Sequence, residues 1–233
     1  MSVPAYYGKT FVGYLDICGF KQMMSDKEKL KNVMNKFYST LFSAVNEVNS
    51  QSIITKLNVV AVSDCDILFL SKGKRKDVDQ EIGLSKLLKF IRYANRQFID
   101  NDSPFMTTCS IAYGEFNYQD RKDWRHVRKN CMTGSAYVES YLDSRLEKPK
   151  IKPGQCRIIK STLSVNFIHR LKEKKVKNDD YKMLKSAGNH YNYYWMCENP
   201  ESIRFFKSRY DKAFEHLYDD VIEALQNKII QTV

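Results

Sequence analysis

Two apolar runs, Ile53–Val62 and Ile67–Leu70, are separated only by Ser63-Asp64-Cys65-Asp66. So short a polar break between β-branched runs predicts a β-hairpin. A long amphipathic helix flanks it on each side. Leu30, Val33, Met34, Phe37, Leu41, Val45 and Val48 recur every three or four residues before it, and Leu84, Leu87, Leu88, Ile91, Tyr93, Ala94 and Phe98 after it. A strand at Phe11–Ile17 precedes the first helix, and a strand at Phe105–Phe116 follows the second, with Gly114 placed for a bulge or a close contact. The order β-α-β-β-α-β predicts an α+β chain with a ferredoxin-like core. A short helix from Gly134 to about Leu146 and a strand at Cys156–Ile159 add an αβ extension, after a basic segment expected to be a loop. Residues 181–197 predict a hairpin turning near Gly188-Asn189. From Pro200 to about Ile230, the stripe Ile203, Phe206, Tyr210, Phe214, Leu217, Val221, Leu225 and Ile229 predicts a long helix. No repeat or Gly/Ser/Pro linker interrupts the chain, so it reads as one domain, residues 1–199, with the helix 200–233 appended.

With 43% hydrophobic and 28% charged residues, the 233-residue chain can bury a core without staples. No apolar run approaches the roughly 18 residues of a membrane helix, and the N-terminal residues carry no signal-peptide pattern. The six cysteines (18, 65, 109, 131, 156, 197) form no Cys-x-x-Cys pair or zinc spacing, and the four histidines are scattered. Reduced thiols and a cytoplasmic location are the expectation. The net charge of +11 suits an anionic partner but does not choose one. It is dispersed over Lys72–Lys76, Arg121–Lys129 and Arg170–Lys177, which also read as solvated loops and helix faces.

Two carboxylates hold special places. Asp16 closes the first strand, and Asp64 sits in the hairpin. The first and third strands of a ferredoxin-like sheet are neighbours, so the two side chains can converge at one sheet edge. Paired carboxylates there suit Mg²⁺ or Mn²⁺, which take oxygen ligands and leave positions open for phosphate. Cys18-Gly19-Phe20, leading into a helix, can offer backbone amides to a triphosphate, with Gly19 permitting close approach. Strand-end aspartates also serve as turn and cap residues, so neither position alone assigns a metal. Asp66 is a third candidate, also readable as a polar hairpin residue.

Four segments occur in order: YLDICGF (14–20), VSD (62–64), SIAYGE (110–115) and GSAYVESY (134–141). Together they resemble the class III nucleotidyl cyclases, and most of all the Pycsar pyrimidine cyclases of bacterial antiphage defence. The likeness spans about residues 10–197, and Lys148-Pro149-Lys150-Ile151 is similar to a Pro-Arg-Ile segment of the family. The resemblance implies that Asp16, Asp64 and the Ile17 carbonyl hold two Mg²⁺ or Mn²⁺ ions. It implies that Ile17, Cys18, Gly19, Phe20 and Lys185 bind the triphosphate. It further implies closure of CTP or UTP to a 3′,5′-cyclic monophosphate, a second messenger, with release of pyrophosphate. A head-to-tail homodimer with interfacial sites is implied too, which the C-terminal helix would brace.

The sequence departs from purine cyclases at several of these positions. Val60 and Cys131 stand where adenylate cyclases read adenine with Lys and Asp, and Val60 cannot donate to a purine. A pyrimidine is therefore expected. Asn58 and Thr133 can donate and accept, so they suit cytosine or uracil alike, with CTP slightly preferred on overall likeness. Val138 and Leu142 occupy the places of the family's transition-state Asn and Arg; Arg145, one turn on, can substitute. Two alternatives stay open: a catalytically degenerate nucleotide-binding domain, and an RNA-binding ferredoxin-like module, for which the RNP signature is missing.

Overall fold

A computed structural model of the protein describes residues 3–51, 54–74, 76–100, 104–124, 127–173, 175–176 and 178–209. The first strand, β1 (Tyr6–Ile17), is followed by a one-turn helix, α1 (Phe20–Met23), and by α2 (Lys27–Ser50). The hairpin β2 (Lys56–Val62) and β3 (Cys65–Ser71) leads to α3 (Gln80–Ile99) and β4 (Thr107–Trp124). Then come β5 (Val127–Thr133), α4 (Ser135–Ser144), β6 (Cys156–Ile159), α5 (Val165–Lys172), β7 (Leu184–Ala187), β8 (His190–Tyr193) and α6 (Pro200–Arg209).

The strands form one sheet in the order β2-β3-β1-β4-β6-β8-β7, with β5 paired to the distal half of β4. Among the described residues only β4 and β6 run parallel; the β1–β3, β1–β4, β2–β3, β4–β5, β6–β8 and β7–β8 pairs are antiparallel. The expected βαββαβ order with an αβ extension is therefore present. The hairpin turn at Gly188-Asn189 is also where the sequence places it. One expectation is corrected: in the basic segment expected to be a loop, residues 121–124 and 127–129 are strand. They continue β4 and return as β5. Of the expected C-terminal helix, Pro200–Arg209 is α6, and the remainder lies outside the described residues.

Side chains alternate across β1, and this alternation sorts the core into two layers. Phe11, Leu15 and Ile17 face α2 and α3, where Val33, Phe37, Leu41, Leu84, Leu88 and Phe98 are buried. Val12 and Tyr14 face the other way, against Ile67, Phe69, Val60 and Ala136 of α4. The long helices begin on aspartate caps, Asp26 accepting from the Lys29 amide at 3.0 Å and Asp79 from the Ile82 amide at 3.0 Å. Two glycines let α4 lie close on β4. A Cβ at Gly134 (φ 120°) would stand 2.2 Å from the Glu115 carbonyl oxygen, and one at Gly114 would stand 2.5 Å from Ser135 Oγ.

Candidate functional site

Asp16 lies next to the C-terminus of β1, opposite Cys65 on β3 and Thr108 on β4. This register brings the tip of the β2–β3 hairpin to the end of β1. The Ile17 amide donates to the Asp64 carbonyl at 3.1 Å. Both aspartates are half-buried. The Asp16 carboxyl is held above the usual carboxylate range, chiefly by burial and next by the charge of Asp64. Arg145 and the Ile17 amide pull in the opposite direction. A divalent cation relieves the burial cost of the Asp16 charge and its repulsion by Asp64, and the oxygen donors of the two side chains fit Mg²⁺ or Mn²⁺. Among the described residues no three His, Cys, Asp or Glu side chains converge on one point. A cation would thus be completed by the Ile17 carbonyl, water or phosphate.

The hairpin tip is under backbone tension. Ser63 adopts φ 62°, the left-handed region, and its carbonyl accepts the Tyr38 hydroxyl at 2.9 Å. That tether from α2 fixes the residue next to Asp64. Asp66, read as a possible polar hairpin residue, is instead fully buried (0% exposed) opposite Leu15. Among the described residues its two carboxyl oxygens have no partner, and burial pushes its pKa up to about 8. Its partner Leu15 faces α2 and α3, so Asp66 lies on the opposite face of the sheet from Asp16.

The turn after β1 is partly committed. The Ile17 amide is held by Asp64, and the Cys18 amide donates to the Met106 carbonyl at 2.8 Å. Of the four residues expected to face phosphate through their amides, this leaves Gly19 and Phe20. Gly19 takes φ 74° and caps α1, a conformation costly for residues with a Cβ. Burial pushes the Cys18 thiol up to about 12, with Asp16 adding to the rise, so this cysteine stays protonated.

Arg145, at the C-terminus of α4, reaches the same end of β1. Its guanidinium donates to the Tyr14 hydroxyl at 3.3 Å and lies 5.8 Å from the Tyr14 ring centroid and 5.7 Å from that of Tyr141. Its charge acts on Asp16. Val138 (48% exposed) and Leu142 (57%) line the outward side of α4.

The remaining expected residues do not join this group within one protomer. Lys185 is on the edge strand β7, four strands from β1, or about 19 Å at ~4.8 Å per strand. Cys131 and Thr133 are exposed on β5, and Thr133 pairs with Asn117. Asn117 is nine positions along β4 from Thr108, the partner of Asp16, which is about 30 Å of strand. Asn58 donates to Ser71 Oγ at 3.0 Å and lines a separate groove of about 720 Å³ with Phe42, Ile54 and Lys56. Val60 is 5% exposed, packed with Tyr14 and Ile67. Lys148–Lys150 form an exposed loop after α4.

Sequence reading missed a buried polar cluster on the α4 side: Asp143, Arg157, His190 and Ser110. Its signals were faint. One is an arginine inside the apolar strand Cys156–Ile159; the other is an aspartate on the inner stripe of α4 with Ala136 and Ser140. The structure also weighs against the RNA-binding alternative. Stacking needs displayed aromatics, but Tyr14 is 6% exposed beneath α4 and Tyr113 packs on Phe11 at 4.9 Å between ring centroids. Among the described residues no helix is long and apolar enough to cross a membrane.

No protein-family model matches the chain, and no curated protein matches its sequence. Solved structures do. The guanylate cyclase domain of RhGC from Catenaria anguillulae, in complex with GTP, aligns at TM-score 0.55 with 12% identity, over 82% of this chain and 96% of that one. The monomeric guanylyl cyclase domain of the RhoGC fusion protein from Blastocladiella emersonii aligns at 0.55 with 14% identity, over 82% and 97%. The adenylyl cyclase CyaB from P. aeruginosa aligns at 0.50 with 16% identity, over 69% and 81%. With its mixed antiparallel and parallel sheet, the chain has the fold of the class III adenylyl and guanylyl cyclase catalytic domains.

Proposed function

We propose that this protein is a pyrimidine nucleotide cyclase, converting CTP or UTP to the 3′,5′-cyclic monophosphate and pyrophosphate. The observation that carries the reading is the meeting of Asp16 and Asp64 at one sheet end, joined through the Ile17–Asp64 backbone bond of 3.1 Å. Asp16, Asp64 and the Ile17 carbonyl would hold two divalent cations. When bound, these lower the pKa of the ribose 3′-hydroxyl and balance the charge of the departing pyrophosphate. The 3′-oxygen attacks the α-phosphorus, its proton passes to solvent, and the bond to the bridging oxygen breaks. Gly19 and Phe20 present amides to the triphosphate. Arg145, whose charge is felt by Asp16, offers that charge to the transition state.

Val60 supports the choice of base. A buried valine at the place of a purine-reading lysine offers no donor. With the resemblance to Pycsar enzymes, this favours a pyrimidine, CTP slightly over UTP, and a second-messenger role in antiphage defence. The separation of Lys185, Asn58, Cys131 and Thr133 from Asp16 is consistent with a head-to-tail homodimer in which a second copy supplies base and phosphate contacts. A second reading rests on Val138 and Leu142. Apolar side chains at the places of the family's Asn and Arg fit a domain that binds nucleotide without turnover. The deciding experiment incubates the pure protein with each of the four NTPs and Mn²⁺ and resolves the products. A cyclic pyrimidine nucleotide is the expected product. Nucleotide binding with no cyclic product would move the assignment to the second reading.

A further inference from the structure

Asp143 is 6% exposed, and its carboxylate is held by side chains from three other elements. Arg157 Nε on β6 donates to Oδ2 at 2.7 Å, Ser110 Oγ on β4 donates to Oδ2 at 2.5 Å, and His190 Nε2 on β8 lies 2.8 Å from Oδ1. Arg157, 2% exposed, has further partners: Nη2 donates to the Asp143 carbonyl at 2.7 Å, and Nη1 to the Pro149 carbonyl at 2.6 Å. It thus grips both the last turn of α4 and the loop beyond it. A buried ion pair gains little net stability over apolar packing, because desolvating both charges costs several kcal/mol. What it supplies is a single geometry.

That geometry bears on the candidate site. Tyr14, Ser110 and Arg157 are direct partners in one row across the sheet, on the α4 side. Asp143 sits over the Ser110–Arg157 end of this row, and Arg145, two residues on, sits over the Tyr14 end. The Asp143 carbonyl also accepts the Leu146 amide at 3.2 Å, so the backbone on either side of Arg145 is pinned. We infer that Asp143, clamped between Arg157 and His190, is a positioning residue that sets the Arg145 guanidinium beside Tyr14 and Asp16. The inference rests on the cyclase reading for what Arg145 does, but not for where Arg145 stands.

The test uses the full chain and Asp143→Asn in two backgrounds, native and Arg145→Ala. In the native background kcat should fall on the order of 10²-fold, with KM for the nucleotide changed less than about threefold. In the Arg145→Ala background the same change should add almost nothing, because both act through one group. Full additivity, or a raised KM at constant kcat, would overturn the proposal. Should Asp143→Asn fail to fold, His190→Ala leaves all the Arg157 bonds in place and should give a smaller kcat loss, about tenfold, with the same non-additivity; His190→Gln should restore part of it. A second readout needs no turnover. In ¹⁵N spectra of arginine side chains, the Arg145 Nε–H signal, assigned by its loss in Arg145→Ala, should move toward that of a free arginine in the Asp143 or His190 variant. An unmoved signal refutes the positioning role. If the native protein turns over no NTP, the cyclase reading fails, and this spectrum still decides whether Asp143 places Arg145.

Discussion

The Ile17 amide and the Asp64 carbonyl meet at 3.1 Å, so the end of the central strand and the tip of the hairpin are one structural unit. Residues 47 positions apart in sequence thereby place two half-buried carboxylates side by side. In Asp64→Ala the backbone bond survives and only the side chain is lost. Product from every NTP should fall at least about 100-fold, with far-UV circular dichroism unchanged. Turnover at the native rate would remove Asp64 from the mechanism.

Arg145 touches two aromatic faces and one hydroxyl, contacts that suit a planar guanidinium better than an ammonium. Arg145→Ala should lower kcat on the order of 10²-fold. Arg145→Lys, which keeps the charge and loses the fork, should recover only a minor part. Single-turnover kinetics with the preferred nucleotide check this.

If base and phosphate contacts come from a second copy, one subunit's defect is complemented by the other's. Asp64→Ala mixed with Lys185→Ala should restore up to about a quarter of native activity after subunit exchange, although each variant alone is weak. A mixture no more active than the mean of its parts would place both residues in one protomer's site, or outside any site.

Gly134 carries the docking of α4. An added Cβ meets the Glu115 carbonyl at 2.2 Å in a backbone region unfavourable to side chains. Gly134→Ala should cost at least about 2 kcal/mol, read from urea unfolding. Gly188→Ala, where a Cβ meets nothing within 4 Å, is the control for the positive φ alone and should cost less.

Burial pushes the Asp66 pKa up to about 8, whereas an unfolded aspartate titrates near 3.9. The folded chain therefore keeps a proton that the unfolded chain releases. Stability from this group is fully present below about pH 4 and lost as pH rises toward 8. Asp66→Asn abolishes the titration. In chelating buffer its denaturation midpoint should draw ahead of the native protein's between pH 5 and pH 8 and converge with it near pH 4. A gap independent of pH would mean that the carboxylate is not held neutral.

Much of this arrangement was legible in the chain. The hairpin announced itself because two β-branched runs leave only four residues between them, too few for any other connection. Asp16 and Asp64 were legible for the same reason, since strand order alone makes their ends neighbours. The β4–β5 hairpin was not, because charged side chains on an extended ribbon have the same composition as a loop, and pairing rather than apolar content defines those strands. The Asp143–Arg157 pair stayed hidden because its members come from elements with no mutual sequence signal. Asp66 stayed hidden because alternation assigns a face without saying whether a charged residue there finds water. The distance of Lys185 from Asp16 within one protomer was not legible, because the crossing from β4 to β6 and β8 pushes β7 to the sheet's rim.

Strand β1 is paired with β4 along its whole length and with β3 over Val12–Asp16, the stretch that ends at the aspartate. An acid mounted there is anchored from left and right, while the rim strands β2 and β7 are held from one side only. On the cyclase reading, substitutions along β7 would therefore disturb the Asp16 carboxylate less than substitutions in β3 or β4. On that reading, such a scaffold would let selectivity be altered at the rim while the chemistry at its centre stands still.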